Sequence, residues 1–423
     1  VAGVGRLTGE PITRGWQARL YPNREQDRLL SLWANHARGA WNKLLGEVVT
    51  RYEADQTFLW KADLQKLAVA WKHEPETAWL AELPAHTLLE VCGRLDKALR
   101  RMLSERKAGR QCGFPRFKKK RWGEGSVYFV NQNTRLSPDG RHVRLPKLGT
   151  ARTRGGRPPA GRLLGSRATR DGDRWLLSAQ IECPAPEPMA ATGARIGVDA
   201  GLRSLVTTYD GAAFETVKPP RPLKAALRRL AKAQRIMARR QKGSARRGAQ
   251  VKRVAALHRK VRCRRHDHLH QVSHRLTAKA DVIVVETLDV RAMAQTPFLG
   301  QQVADVAIGS LLRFVAYKAA WRGRELIAVP STYPSTRTCS GCGTLHDMPL
   351  GKRRLSCGCG VRMNRDENAA LNLYRYPEEP GNLAHQGGTR VETGSAVGGV
   401  SLRSDPAIET RMLDSAVIDH ESQ

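Results

Sequence analysis

The chain has 423 residues and a net charge of +33, with 41% hydrophobic residues, which is enough for two to three domains with sizeable cores. So large a cationic excess goes far beyond what solubility asks for, and it implies a polyanionic partner whose phosphates release counterions on binding. No apolar run approaches the ~18 residues of a membrane-spanning helix, and residues 1–11 lack a signal peptide's apolar region, so a cytoplasmic protein with no membrane partner is expected.

In chain order, residues 1–22 read as a frayed leader and a first strand, Gly15–Leu20, closed by Tyr21-Pro22. Asn23 followed three residues later by Gln26 is a capping-box variant that opens a helix. Leu29, Trp33, Ala37, Ala40 or Trp41, Leu44 and Val48 then form one apolar face. Further helices are expected over 61–72 and 88–110, so that 23–110 is a helical lobe. From 111 to 190 the texture changes to short strands separated by Gly and Pro clusters. Val127–Val130, His142–Leu145 and Arg174–Ile181 are the candidates, and they predict a small β-barrel. The run Lys118 to Arg121, beside Phe114, Phe117 and Trp122, suits phosphate contacts with base stacking, or else a solvated loop with core aromatics. Pro184–Pro188 is a linker.

An α/β domain follows. Ile196–Tyr209 predicts a strand, a turn and a second strand, with Asp199 at the first strand's tip. Between Arg221 and Arg265 stand 18 Lys and Arg and no Asp or Glu. Like charges at helical spacing repel, so this stretch needs anions from elsewhere, while Leu223, Leu227, Leu230, Gln234 and Met237 keep a stripe for packing. His266, His268 and His270 are expected to pack or to meet phosphate. Ala280–Glu286 is a buried strand ending in Glu286, 303–321 an amphipathic helix and 325–329 another strand. Asp366 stands at the start of a good helix former, Asn364–Leu373. A carboxylate at a strand tip lies at the sheet rim where α/β folds place ligands. Each of the three acids alone could simply end its element; together they suit one or two divalent cations.

Cys92, Cys112, Cys183 and Cys263 are scattered, whereas Cys339, Cys342, Cys357 and Cys359 fall close together, which is a metal pattern and not a disulfide framework. Four thiolates on one zinc is the expectation, with three cysteines plus His346, or a metal-free finger, as alternatives. Arg365 is placed either to contact phosphate or to pair with acids. The tail, 377–423, is acidic, rich in Gly, Ser and Thr, and expected to be disordered.

These motifs resemble a known family. Asp199 in GVDAGL, Glu286 in VVETLDV and Asp366 in NRDENAALNL resemble the split motifs of a RuvC nuclease, an RNase H-like fold. The match is to TnpB, the insertion-sequence nuclease, and to the related miniature type V CRISPR effectors. Arg19-Leu20-Tyr21-Pro22, Gly113-Phe114-Pro115-Arg116-Phe117-Lys118, Arg240-Gln241-Lys242-Gly243-Ser244 and Thr338-Cys339-Ser340-Gly341-Cys342-Gly343 extend the resemblance in order along most of the chain. It implies a multidomain α/β protein. A RuvC-like nuclease domain (191–330 and 361–376) would carry an inserted zinc finger (331–360), after an N-terminal β-barrel wedge domain with a helical recognition insertion.

It implies RNA-guided cleavage of double-stranded DNA beside a short flanking motif, with a guide RNA as cofactor and partner. Two Mg²⁺ (or Mn²⁺) ions would be held by Asp199, bridging, with Glu286 and Asp366 each favouring one. The second half of the finger departs from the family: its usual first cysteine falls on Ser356, leaving Cys357-Gly358-Cys359. A CRISPR effector with the same chemistry, a cleavage-deficient RNA-guided repressor and a guide-free nuclease or resolvase are the rival readings, and monomer and dimer both stay open.

Overall fold

A computed structural model describes residues 11–119, 125–296, 299–349 and 351–377, which form two compact units meeting between Pro184 and Ala185. Residues 1–10 of the leader, Lys120, Arg121 and Trp122 of the basic-aromatic run, and the tail from residue 378 lie outside the described residues.

The first unit is a seven-stranded antiparallel sheet with helices inserted after its first strand. That strand, β1 (Ile12–Tyr21), leads into helix α1 (Arg24–Asp55). Asn23 caps α1: its side chain accepts from Gln26 N at 2.8 Å, and Gln26 Oε1 accepts from Asn23 N at 3.0 Å. The same Gln26 side chain donates to the carbonyls of Leu148 and Thr150, at 3.1 and 2.9 Å. One residue thus starts the helix and ties it to the sheet. The buried face of α1 runs through Leu30, Trp33, Ala37, Trp41, Leu44 and Val48, so that Leu30, and not the expected Leu29, takes the first core position. The second helix α2 (Lys61–Ala70) tightens into 3-10 turns over 71–73 and 75–82, and α3 (Ala85–Lys107) packs on α1 and α2.

Strands β2 (Ser126–Val130), β3 (Arg135–Leu136), β4 (His142–Leu145), β5 (Gly149–Arg154), β6 (Arg162–Asp171) and β7 (Arg174–Cys183) complete the sheet in the order β2-β6-β7-β1-β5-β4-β3. The long pairing of β1 with β7, from Ile12↔Cys183 to Leu20↔Trp175, joins the two ends of the unit's chain.

The second unit holds a five-stranded sheet ordered β10-β9-β8-β11-β12, built from β8 (Arg195–Ala200), β9 (Val206–Tyr209), β10 (Phe214–Val217), β11 (Val282–Glu286) and β12 (Glu325–Val329). The first three strands are antiparallel neighbours; β8, β11 and β12 run parallel. Side chains alternate between the two faces of a strand. Ile196, Val198, Ile283 and Val285 therefore enter one core with Leu269, Val272 and Leu276 of α5 (Ala245–Lys279) and Leu311 and Val315 of α8 (Ile308–Trp321). Gly197, Val284 and the two strand-tip acids have the opposite parity, and Val284 packs with Leu373 of the last helix, α9 (Arg365–Tyr374).

The cationic stretch folds as a hairpin of α4 (Pro222–Arg239) with α5, cored by Leu223, Leu230 and Val261. Asp305, buried on α7 (Gly300–Val306), accepts from the Leu223 and Lys224 amides at 2.8 and 3.0 Å and so caps α4 from a different element. A short α6 (Val290–Gln295) precedes α7. The single helix expected over 303–321 is instead two, α7 and α8, because Ala307 turns left-handed (φ 54°) between them. His270 does pack, stacked on Phe314 at 4.1 Å and 8°.

Candidate active site

Strand register brings the first two acids together. Within the parallel pair β8–β11, Val285 lies opposite Val198, and one residue further along each strand come Glu286 and Asp199. Neighbouring strands are ~4.8 Å apart, so both carboxylates leave adjacent strand tips on the same face. Helix α9 crosses that face. It can lie so close because residue 197 is glycine: a Cβ there would sit 2.1 Å from Ala370 O and 2.4 Å from Tyr374 N. Glycine inside a strand marks such a backbone approach. Asn364 caps α9 by accepting from the Asp366 amide at 2.9 Å, which sets Asp366 in the first turn.

All three acids are half-buried. Burial pushes the Asp199 carboxyl up to about 8, reinforced by the negative charges of Asp366 and then Glu286, against the opposing charge of Arg365. Burial also raises Glu286, which accepts from Ser335 Oγ at 3.0 Å. Ser204 Oγ donates to Asp366 at 3.3 Å. A buried carboxyl whose ionisation two neighbouring carboxylates also oppose marks a site in need of positive charge. Arg365 supplies some of it at a distance, but its guanidinium is engaged with the Met348 and Pro349 carbonyls, each at 3.1 Å.

The cysteine cluster is joined to this site through the inner face of α9. Buried Asn368 accepts from Ser340 N at 3.0 Å and donates to Thr338 O at 2.7 Å; Asn372 donates to Ser335 O and Thr338 O at 2.8 and 2.7 Å. Two asparagines four residues apart on a helix thus hold the loop that carries both Cys339 and the Ser335 partner of Glu286. Gly197, Ser204, Ser335, Asn368 and Asn372 were not singled out from the sequence. The signals were there for two of these features: a glycine within a β-branched strand, and an i,i+4 asparagine pair on an otherwise apolar helix face.

The sulfurs of Cys339, Cys342, Cys357 and Cys359 all lie within 4.8 Å of one another. Cys339 and Cys359 are 3.6 Å apart, and Cys342 and Cys357 3.5 Å. A tetrahedral zinc with ~2.3 Å bonds sets sulfurs ~3.8 Å apart, so the donor set and its spacing fit that ion. His346 is not among the converging donors. A hydrogen bond with the Thr344 side chain leads the effects that draw the Cys342 thiol down to about 6. The short strands β13 (Arg354–Ser356) and β14 (Arg362–Asn364) pair beside the cluster and deliver Cys357 and Cys359 from the turn between them.

Three family models match stretches of the chain. The OrfB_IS605 transposase model matches residues 178–296, the Cas12f1-like TNB domain model residues 309–373, and the OrfB_IS605 helix-turn-helix model residues 12–57. That last stretch is here a strand and one unbroken helix. A protein of Streptomyces pristinaespiralis is 32% identical over 374 residues, covering 86% of this chain and 89% of its own length. One from Mycobacterium tuberculosis is 34% identical over 308 residues (69% of this chain, 67% of its own). InsQ of Escherichia coli is 28% identical over 377 residues (85% and 91%). All three bear the name RNA-guided DNA endonuclease. Among solved structures, a chain of the Cas12f1–sgRNA–target DNA complex matches with TM-score 0.49 at 12% identity, over 86% of this chain and 99% of that one. With a 32% identical relative matched over 89% of that relative's length, the chain belongs to the TnpB family.

Proposed function

We propose that this protein is an RNA-guided, Mg²⁺-dependent DNA endonuclease that cuts double-stranded DNA beside a short flanking motif, using Asp199, Glu286 and Asp366. The observation that carries the reading is the convergence of three half-buried acids from two adjacent parallel strands and one helix N-terminus, with Asp199 raised by burial and then by the charges of the other two. The sheet order, an antiparallel three-strand meander followed by two parallel strands, supports an RNase H-like nuclease core. The seven-stranded sheet with helices inserted after β1 supports a wedge domain with a recognition lobe.

Divalent cations held by the three acids would activate water and neutralise the charge that develops on phosphate and leaving oxygen. Asp199, which feels the charges of both other acids, would hold such ions together with Glu286 and Asp366. Ser204 and Ser335 fix the rotamers of Asp366 and Glu286 by donating to them. Cys339, Cys342, Cys357 and Cys359 would hold a structural zinc, which keeps the loop from Ser335 to Ser340 in register with α9. The α4–α5 hairpin, with 18 Lys and Arg and no Asp or Glu between Arg221 and Arg265, would bind the guide RNA or its duplex with target DNA, chiefly through phosphates.

The test is purification of the protein with its cellular RNA, sequencing of that RNA, and incubation of the complex with a plasmid carrying the matching sequence in Mg²⁺. Guided double-strand cuts, and RNA that maps to a transposon end, support the reading. RNA from a CRISPR array would favour the miniature effector, and tight guided binding without cuts the repressor.

A further inference from the structure

We infer that Phe117 is a stacking platform for one unpaired base of the target DNA. The inference rests on the proposed guided DNA cleavage, a reaction that has to separate DNA strands and therefore exposes bases with no partner.

The residue stands out by its setting. Phe117 is 56% exposed, the most exposed aromatic side chain among the described residues. Other exposed rings have company: Tyr21 lies against the Arg19 guanidinium at 4.4 Å, and Phe214 against Tyr209 at 4.6 Å. Nearby Phe114 is occupied as well, 5.3 Å from Tyr52 and 6.0 Å from Phe58. Phe117 meets no ring or guanidinium among the described residues.

Its segment has no regular secondary structure, yet it is held firmly on both sides of the ring. Trp41 Nε1 donates to Arg116 O at 3.2 Å. Asn42 grips Lys118 with both ends of its amide, accepting from N at 2.7 Å and donating to O at 3.0 Å. The Lys118 ammonium lies 3.6 Å from the centroid of the Trp41 ring, so it faces inward. Helix α1 thus commits two buried or half-buried side chains to fixing the backbone at residues 116 and 118, and the residue between them points its ring outward. A mobile loop would spend ordering entropy on binding; this one is ordered in advance. Exposed Arg116 and Lys119 flank the ring and supply charge for a phosphodiester backbone.

A large apolar side chain so presented costs hydration in the free protein, and a pre-ordered aromatic ring with cations on either side is what single-stranded nucleic acid uses: charge tracks the backbone and the ring takes a base of any sequence. The guide is paired along much of its length once target is engaged, whereas the separated DNA always includes unpaired bases, which favours DNA as the occupant.

The test uses the full-length protein with its co-purified RNA and a matched DNA duplex carrying a single 2-aminopurine, an adenine analogue quenched by stacking, moved base by base. One DNA position should be quenched by wild type and by Phe117→Trp, and stay bright with Phe117→Leu. In Phe117→Leu, which keeps an apolar side chain, DNA affinity should fall about 5- to 10-fold, the low end for one base–aromatic stack. The slope of log K against log salt should stay unchanged in that variant and fall in Lys119→Ser, which removes a cation. A parallel arm places the 2-aminopurine in the guide RNA. Quenching that depends on Phe117 only in the RNA, or at no position in either strand, overturns the inference. Cleavage of the same duplex by wild type in Mg²⁺ separates the two claims. Guided cutting without any Phe117 effect sinks this inference alone, and absence of guided binding and cutting sinks the proposed function with it.

Discussion

Replacing Gly197 with alanine should separate DNA binding from DNA cutting. The added Cβ would stand 2.1 Å from Ala370 O and 2.4 Å from Tyr374 N, both backbone atoms of α9. Ordinary carbon contacts begin near 3.5 Å, so the helix must retreat by on the order of 1 Å. Neither neighbour is a side chain that can rotate away, which puts the cost at the upper end for overpacking, about 3 kcal/mol. For a unit of this size that corresponds to a fall in Tm of roughly 6–12 °C. The retreat also moves Asp366 and loosens the Asn368 and Asn372 grip on the Ser335–Ser340 loop, and a misplacement of about 1 Å at a reacting centre costs on the order of 100-fold in rate. The assay pairs a thermal melt with plasmid cleavage and a gel shift in the same buffer, all below the variant's melting range. Gly248→Ala is the control: it lies within α5 with nothing inside 4 Å of the new Cβ, and should stabilise by roughly 0.5–1 kcal/mol through helix propensity. If Gly197→Ala melts within a degree or two of wild type and cuts at the wild-type rate, the close approach of α9 does not govern the site.

Other expectations are simpler. Purified protein should contain one zinc, retained by His346→Ala and lost by both Cys339→Ser and Cys357→Ser; full zinc in Cys357→Ser would remove that thiol from the ligand set. Converting exposed Arg235, Arg239 and Lys242 of the basic hairpin to serine should weaken guide binding and reduce the slope of log K against log salt, by up to ~0.9 for each phosphate no longer neutralised; an unaltered slope would mean these residues do not face nucleic acid. Asp305→Ala should cost about 1–2 kcal/mol, the value of a helix cap, while Asp305→Asn, which can still accept from the α4 amides, should recover most of it in a denaturant titration.

Much of the candidate site was readable because its chemistry is tied to local pattern. The acids end short β-branched strands or open a capped helix, and period-2 alternation together with register then puts Asp199 and Glu286 on one face. The Asn23–Gln26 box likewise announced α1 from two residues. Strands β5 and β6 went unread for a physical reason. Their outward positions carry arginines, and their inward positions are small residues such as Ala151, Ser166 and Ala168, all buried. Such segments become strands because the sheet supplies ladder partners, β7 for β6 and both β1 and β4 for β5, and single-strand propensity holds no record of that. The break at Ala307 was hidden too, since nothing but tertiary packing marks an alanine for a left-handed conformation. The roles of Ser335, Asn368 and Asn372 depend on a loop more than thirty residues upstream in the case of Asn372, a distance over which spacing carries no signal.

On the proposed reading Asp199 serves chemistry and not assembly. The strand beneath it is held by Ile196 and Val198 in the core, and the cationic hairpin is a separate element. The direct measurement is guided plasmid cleavage by Asp199→Ala in Mg²⁺, read beside target binding by gel shift in the same buffer. Asp199→Ala should keep near-normal guide and target affinity and cut neither strand. Double-strand cutting by Asp199→Ala at a rate comparable to wild type would contradict it.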